Sequence, residues 1–438
     1  MRLLALLAST AALALASTSA LAEPTAGAPI GSGALSKPIM PRYGTWGVDL
    51  NAGDAKIQPG DNFSDFVNGG WKARTPIPAD QPAADAFYDI YNLTLEQKKY
   101  VIASQGAETQ IGGLYQSFMN EAAIEQTSDK PLRAALAKVA ALGDKTEFVR
   151  FMGSTAGSFG STMVAPGVET DPSDPGTNIL WMSQAGLGLP DRDYYLKAEF
   201  KDKRTAYLAY MKRQLALAGY ANPAKAAADI LAFETQIATV SWSQEDRRQV
   251  EKINNPMTLP DLHAYAPGLD WTTFLDGAGV TAPGKMLVME KSAIRDIAAL
   301  YEKTPLATLK AWQTFGVIAQ ASPYLADRYV QSRFQFNKAI YGTPELAPRW
   351  KRADTLLDGS LGELMGQIYI EDFFPARSKA MMEDLVANLK VAMAKRIAGN
   401  DWMAPATKMA ALEKLARMEV MVDYPQTFRD FSGLKIDP

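Results

Sequence analysis

The chain is predicted to be mainly α-helical, in two lobes, with a small β-hairpin on the helical body. Three observations predict this. Apolar residues recur at three- and four-residue spacing along much of the chain after residue 59. One region, 162–182, instead carries short β-type runs separated by dense turn residues. The length of 438 residues exceeds the usual span of one domain, which makes two lobes the starting expectation.

In chain order, Arg2 precedes an apolar run from Leu3 to Ala16, and Ala20-Leu21-Ala22 forms a small-x-small cleavage site before Glu23. Residues 1–22 therefore read as a secretory signal peptide. Residues 23–58, rich in Pro, Gly, Ala and Ser, read as a flexible leader. The folded region is expected over 59–438. No later stretch approaches the roughly 20 apolar residues of a membrane helix, so no membrane span is expected. The mature chain is expected to be exported, to the periplasm or the extracellular space.

The stretch Pro59-Gly60-Asp61-Asn62-Phe63 opens the fold. Asp61 is expected to cap a helix carrying Phe63, Phe66 and Val67 on one face, with Gly69-Gly70 as its stop. Thr162-Met163-Val164 and Asn178-Ile179-Leu180-Trp181-Met182 flank the turn-rich Asp171 to Gly176 and predict the hairpin. Asn222-Pro223 starts a helix with Ile230, Phe233, Ile237 and Val240 at helical spacing. Ser322-Pro323 gives the same start signal before Leu325, Tyr329, Val330 and Phe334. After Pro375 a stripe of Met382, Leu385, Leu389, Met393 and Ile397 ends at Gly399-Asn400, and another helix carries Met409, Leu412, Leu415 and Met418. Such stripes are expected in the core, with the methionines as gap fillers.

Composition excludes several function classes. There are 45 basic and 48 acidic residues, a formal net charge of −3, so the basic footprint of a nucleic-acid binder is missing. The chain has no cysteine, which leaves its core to hold it together. It has one histidine, His263, on a short predicted helix after Pro260. A two-imidazole zinc site cannot be built from it, and a Ser-His-Asp triad would have to use it. The expected role of His263 is structural or that of an exposed surface residue.

Local motifs add little chemistry. Gly186-Leu187-Gly188-Leu189-Pro190-Asp191 lacks the last glycine of G-x-G-x-x-G and reads as a tight turn before a helix stabilised by Asp191 or Asp193. Glu245-Asp246-Arg247-Arg248 reads as a solvated or salt-bridged helix end. No serine sits in G-x-S-x-G.

Several segments in order carry a resemblance. They are Pro59 to Phe63 with Asn68-Gly69-Gly70-Trp71, Thr75-Pro76-Ile77-Pro78-Ala79, Leu187-Gly188-Leu189-Pro190-Asp191-Arg192-Asp193-Tyr194-Tyr195 and Asn255-Pro256-Met257-Thr258. Gly342-Thr343-Pro344-Glu345, Pro348-Arg349-Trp350-Lys351-Arg352, Tyr424-Pro425 and Arg429-Asp430-Phe431-Ser432 follow. Over about residues 45–438 the chain resembles the neprilysin/endothelin-converting-enzyme family of zinc metallopeptidases, in its bacterial secreted form. The resemblance implies a two-lobed, largely helical fold: a thermolysin-like catalytic lobe, incomplete in this chain, and a cover lobe enclosing a cavity for oligopeptides. It implies zinc in the complete enzyme and cleavage on the amino side of hydrophobic residues.

The family's H-E-x-x-H, its later glutamate ligand and its transition-state histidine lie C-terminal to the segments matched here. H-E-x-x-H puts two imidazoles on one helix face with a glutamate beside the zinc-bound water, and one histidine cannot supply it. No catalytic or metal residue is carried over, and the chain alone is expected to be inactive, with a complementary C-terminal fragment as a possible partner. The alternative is a non-catalytic peptide-binding module using the cover-lobe cavity. Counting from Ile77-Pro78, the places of the family's substrate-binding Arg and Asp hold Ala83 and Tyr88, with Asp89 one position on. Phe87 matches the family phenylalanine near the primed-side hydrophobic pocket and is the expected substrate-binding residue.

Overall fold

The computed structural model describes residues 37, 49–281 and 283–436; the signal peptide expected over 1–22 and most of the expected leader lie outside the described residues. The chain is mainly helical, and its apolar side chains form two cores.

The smaller core lies between helices Ala86–Ala103 and Gln110–Met119 and the long helix Arg349–Phe373. Val101, Ile102, Ile111 and Phe118 meet Ala353, Leu357, Leu361 and Met365 there. Phe431 and Ile436 return to cover it, and Gln110 Nε2 donates to the carbonyls of Phe431 at 3.1 Å and Leu434 at 3.2 Å. The larger core gathers residues from Leu132 to Ile340. It is thus inserted between two parts of the smaller one, so segments far apart in sequence must close around each other.

A four-stranded sheet edges the larger core in the order β1 (Val164–Asp171), β2 (Asp174–Gln184), β4 (Lys285–Val288), β3 (Pro256–Thr258). The expected hairpin is β1–β2, with Gly167 opposite Trp181, and it is longer than predicted. Its strands run through Pro175 and Gly176 and leave only Asp171 to Asp174 for the turn. β4 joins parallel to β2, Trp181 opposite Leu287, and β3 joins antiparallel to β4. Neither β3 nor β4 was expected: three and four residues are too few for a period-two pattern to register.

The first helix runs Phe63–Arg74 and corrects the reading of its motif. Its cap is Asn62, whose side chain accepts from Asp65 N, and it continues through Gly69 and Gly70. Those glycines permit close approach instead of ending the helix. A Cβ on Gly70 would stand 2.6 Å from the carbonyl oxygen of Gly53, and Trp71 N donates to Ala52 O at 2.9 Å. Residues from Asp49 on, assigned to the leader, therefore pack against this helix.

Two further expectations shift. Ser322-Pro323 opens a 3-10 turn, and the helix behind it begins at Asp327 and runs to Tyr341, where Gly342 takes φ +81°. The helix Ala376–Gly399 has the expected bounds, and Pro405–Arg417 carries Met409, Leu412 and Leu415 but stops before Met418; their apolar stripes are not core, since neither helix contains a buried residue. Leu389 is 60% exposed and Met409 67%. These helices pack against each other, and the first also meets the segment that follows the second: Lys379 Nζ donates to Tyr424 O at 3.0 Å and Lys390 Nζ to Met418 O at 3.1 Å.

Candidate functional site

Phe87 sits in the first turn of the helix Ala86–Ala103. Asp85 caps that turn by accepting from Tyr88 N at 2.9 Å, which satisfies a free amide and fixes where the helix starts. Phe87 is 81% exposed, and Ile90 and Tyr91, at i+3 and i+4, extend the same apolar face into solvent. Ala83 and Tyr88 precede and follow it without charge, and Asp89 lies in the same first turn.

The face is held firmly from behind. Lys98, further along the helix, reaches Asp354 at 2.7 Å and Asp358 at 2.5 Å on the helix Arg349–Phe373. Lys351 pairs with Asp80 at 2.6 Å. Burial pushes the Asp354 carboxyl up, and the Lys98 ammonium works against that shift. Phe87 is thus an exposed aromatic on a rigid scaffold, suited to receive an apolar side chain and without chemistry of its own.

The second feature is a cavity of about 440 Å³ in the larger core. It lies between the turn 186–188 and the helices Lys201–Leu217, Pro223–Val240, Leu306–Ala321 and Asp327–Tyr341. Its walls mix aromatic and polar side chains: Tyr210 stacks on Phe336 at 4.7 Å between centroids, and Phe315 meets Tyr210 edge-on at 5.6 Å, while Thr162, Gln320 and Asn337 also line it. Glu234 contributes the single carboxyl of the lining.

Glu234 is buried but well partnered. It accepts from Tyr195 Oη at 2.6 Å, Tyr207 Oη at 3.1 Å, Trp312 Nε1 at 3.2 Å and, more weakly, Gly188 N at 3.4 Å. Burial pushes its carboxyl up to about 7, although all four donors favour the ionised form. The Tyr195 hydroxyl in turn accepts from Gly188 N and Leu189 N, both at 2.9 Å. The glycine-rich turn is therefore a structural fixture, its amides spent on a tyrosine, and no phosphate cradle. Asp191 Oδ1 accepts from Asp193 N at 3.1 Å, the stabilisation expected for that helix start.

Sequence reasoning missed Glu234. The available signal was a glutamate between Phe233 and Ile237, inside an apolar stripe, where an unpaired acid would be costly. It also understated Arg247. This residue bonds the fully buried carboxylate of Glu290 through Nε at 3.0 Å, while Glu290 accepts from Gln184 N at 2.9 Å. The pairing ties a surface turn to the strand β2.

The residues present do not fit a zinc ion. Among the described residues no three of His, Cys, Asp or Glu converge on one point. His263 lies on the short helix Leu259–Tyr265, where its Nε2 stands 3.1 Å from Thr272 Oγ1. No catalytic step is assigned to this chain's side chains.

A family model described as peptidase family M13 matches residues 59–425. Endothelin-converting enzyme 1 of Rattus norvegicus is 26% identical over 401 residues, covering 87% of this chain and 53% of that protein. The Homo sapiens protein of the same name is 26% identical, with 87% and 52% covered. The chain thus spans about half the length of these curated relatives. Among solved structures, the Mycobacterium tuberculosis zinc metalloprotease ZMP1 in complex with an inhibitor superposes with a TM-score of 0.82 at 30% identity, covering 89% of this chain and 61% of that one. PepO from Lactobacillus rhamnosis shares the fold, with a TM-score of 0.74 at 22% identity over 86% of this chain and 61% of its own.

Proposed function

Because this chain belongs to peptidase family M13, we propose that it is the N-terminal part of an exported zinc metalloendopeptidase. The observation that carries this reading is the family match over 59–425 in a chain spanning about half the length of its relatives. In this reading the larger core is the cover lobe, and the smaller core is the N-terminal contribution to the catalytic lobe. The zinc ligands lie on a further C-terminal segment or a complementary chain. The whole enzyme hydrolyses oligopeptides on the amino side of hydrophobic residues, and this chain alone is inactive. The outward apolar rows of 376–417 support the reading, since they offer the kind of surface that such a segment would cover.

The test is to assay the purified chain alone and with a polypeptide carrying the family's H-E-x-x-H half. The substrate is a quenched fluorogenic oligopeptide with one internal hydrophobic residue. The chain alone is expected to retain no zinc and cut nothing, and the mixture to cut. Zinc-dependent cleavage by the chain alone would overturn the proposal.

Phe87 is assigned to the primed-side hydrophobic pocket, supported by its exposure on a clamped helix turn. Burying such a side chain against substrate contributes roughly 1.5–3 kcal/mol. In the assembled enzyme F87A is expected to raise KM about tenfold and leave kcat nearly unchanged, the pattern of lost uniform binding. An unchanged KM removes Phe87 from the site.

A second reading, a module that holds peptides without cutting them, is favoured by the aromatic-walled cavity. It needs neither zinc nor a second chain.

A further inference from the structure

The cavity in the larger core contains a guanidinium that no carboxylate neutralises among the described residues. Arg333, half-buried on the helix Asp327–Tyr341, lines it, and Nη1 donates to the carbonyl of Ala319. Among the described residues Arg333 has no carboxylate partner. Asn337, one turn further on the same helix, also lines the cavity and has no side-chain hydrogen bond among the described residues. The cavity's own acid, Glu234, is occupied by Tyr195, Tyr207 and Trp312 and leaves Arg333 unneutralised.

A guanidinium without a carboxylate partner, in a part-buried enclosure with an aromatic wall, selects its ligand by charge and shape. A planar fork of donors matches a carboxylate in a bidentate geometry. Among the described residues Arg333 is the only basic side chain in the lining, so the site suits a single negative charge better than a phosphate carrying two. Phe336, Tyr210, Phe315 and Trp312 then face an apolar or aromatic body. A cavity of about 440 Å³ lies within the range of small-molecule sites, far below what a folded partner needs.

We propose that this cavity binds the free carboxyl end of a short apolar peptide or a hydrophobic amino acid, with Arg333 and Asn337 on the carboxylate and the aromatic wall on the side chain. It deepens the reading of the chain as a peptide holder by naming the end that is recognised. It is independent of zinc and of cleavage. A peptide's carboxyl end is also what an endopeptidase releases, so the site suits retention of product.

The test uses the purified chain, without zinc, in titration calorimetry with N-acetyl-L-phenylalanine and its uncharged amide. The acid is expected to bind at least about tenfold tighter than the amide, the range of one charge-assisted hydrogen-bonded contact. R333Q is expected to bring the acid down to the level of the amide, and R333K to keep part of the preference. A319W, which fills the cavity from the opposite helix, is expected to weaken both ligands. Each variant is first checked for the wild-type melting transition; if R333Q fails that check, the acid–amide comparison on the wild-type chain decides. Equal binding of acid and amide overturns the carboxylate assignment while leaving peptide holding in place. Undiminished acid binding by folded R333Q, or no saturable acid binding at millimolar concentration, overturns it as well.

Discussion

Glu234 shows how one buried acid can set a protein's response to pH. Its carboxyl ordinarily titrates at 4.5 and is pushed up to about 7 by burial. Between those values the folded chain holds a proton that the unfolded chain has released. Stability from this group is therefore fully present below pH 4.5 and is lost as pH rises towards 7. The slope is about 1.4 kcal/mol per pH unit for one fully differential proton. Urea unfolding of E234Q across this window is expected to show a slope shallower by about 1 kcal/mol per pH unit than the wild type. An identical slope would mean that the four donors hold Glu234 ionised throughout. Residue-scale facts of this kind were partly legible in the sequence. An acid inside the stripe Ile230, Phe233, Ile237 was visible, but its three side-chain donors come from Tyr195, Tyr207 and Trp312, on other elements.

At the scale of elements, the clamp between Ala86–Ala103 and Arg349–Phe373 shows what positions Phe87. Asp354 is nearly fully buried, and Lys98, 256 residues away in sequence, is the ion partner that compensates it. Removing one member of such a pair leaves a buried charge and typically costs 3–5 kcal/mol. K98M is expected to lose about 3 kcal/mol in denaturant unfolding, and D354N in that background to recover part of it. Full additivity of the two changes would show that the pair is not coupled. The glycine pair of the first helix makes a second case. G70A sets a methyl against the Gly53, Asn51 and Ala52 carbonyls and is expected to release residues 49–54, read as faster hydrogen exchange at Trp71 N. Unchanged protection there would restore the reading of these glycines as a helix stop. From sequence alone, two adjacent glycines indicate a break just as well as a contact.

At the scale of the molecule, the two outward helices are expected to govern association in solution. Met382, Leu385, Leu389, Met393 and Met409 form exposed apolar rows, and contiguous apolar surface of this kind drives association. Light scattering of the purified chain is expected to give a mass that rises with concentration, and L385E with L389E to lower it towards one copy. A monodisperse, cooperatively melting monomer before any substitution would contradict the expectation. The periodicity of these helices was read correctly, whereas their burial was not: a stripe at helical spacing encodes a face that needs a partner without encoding where the partner is.

The sequence by itself determined the helical character of most segments, the presence of the hairpin and the membership of peptidase family M13. Each rests on neighbours a few residues apart or on short motifs in order. Only the tertiary structure decided the rest. It inserted the larger core between two parts of the smaller one, brought β4 parallel to β2 about a hundred residues later, buried Glu234 among three distant side chains and left Arg333 without a carboxylate partner among the described residues. The physical reason is range. Secondary structure follows from local periodicity and capping, whereas burial and charge pairing depend on contacts between residues far apart in the chain, which no local pattern specifies.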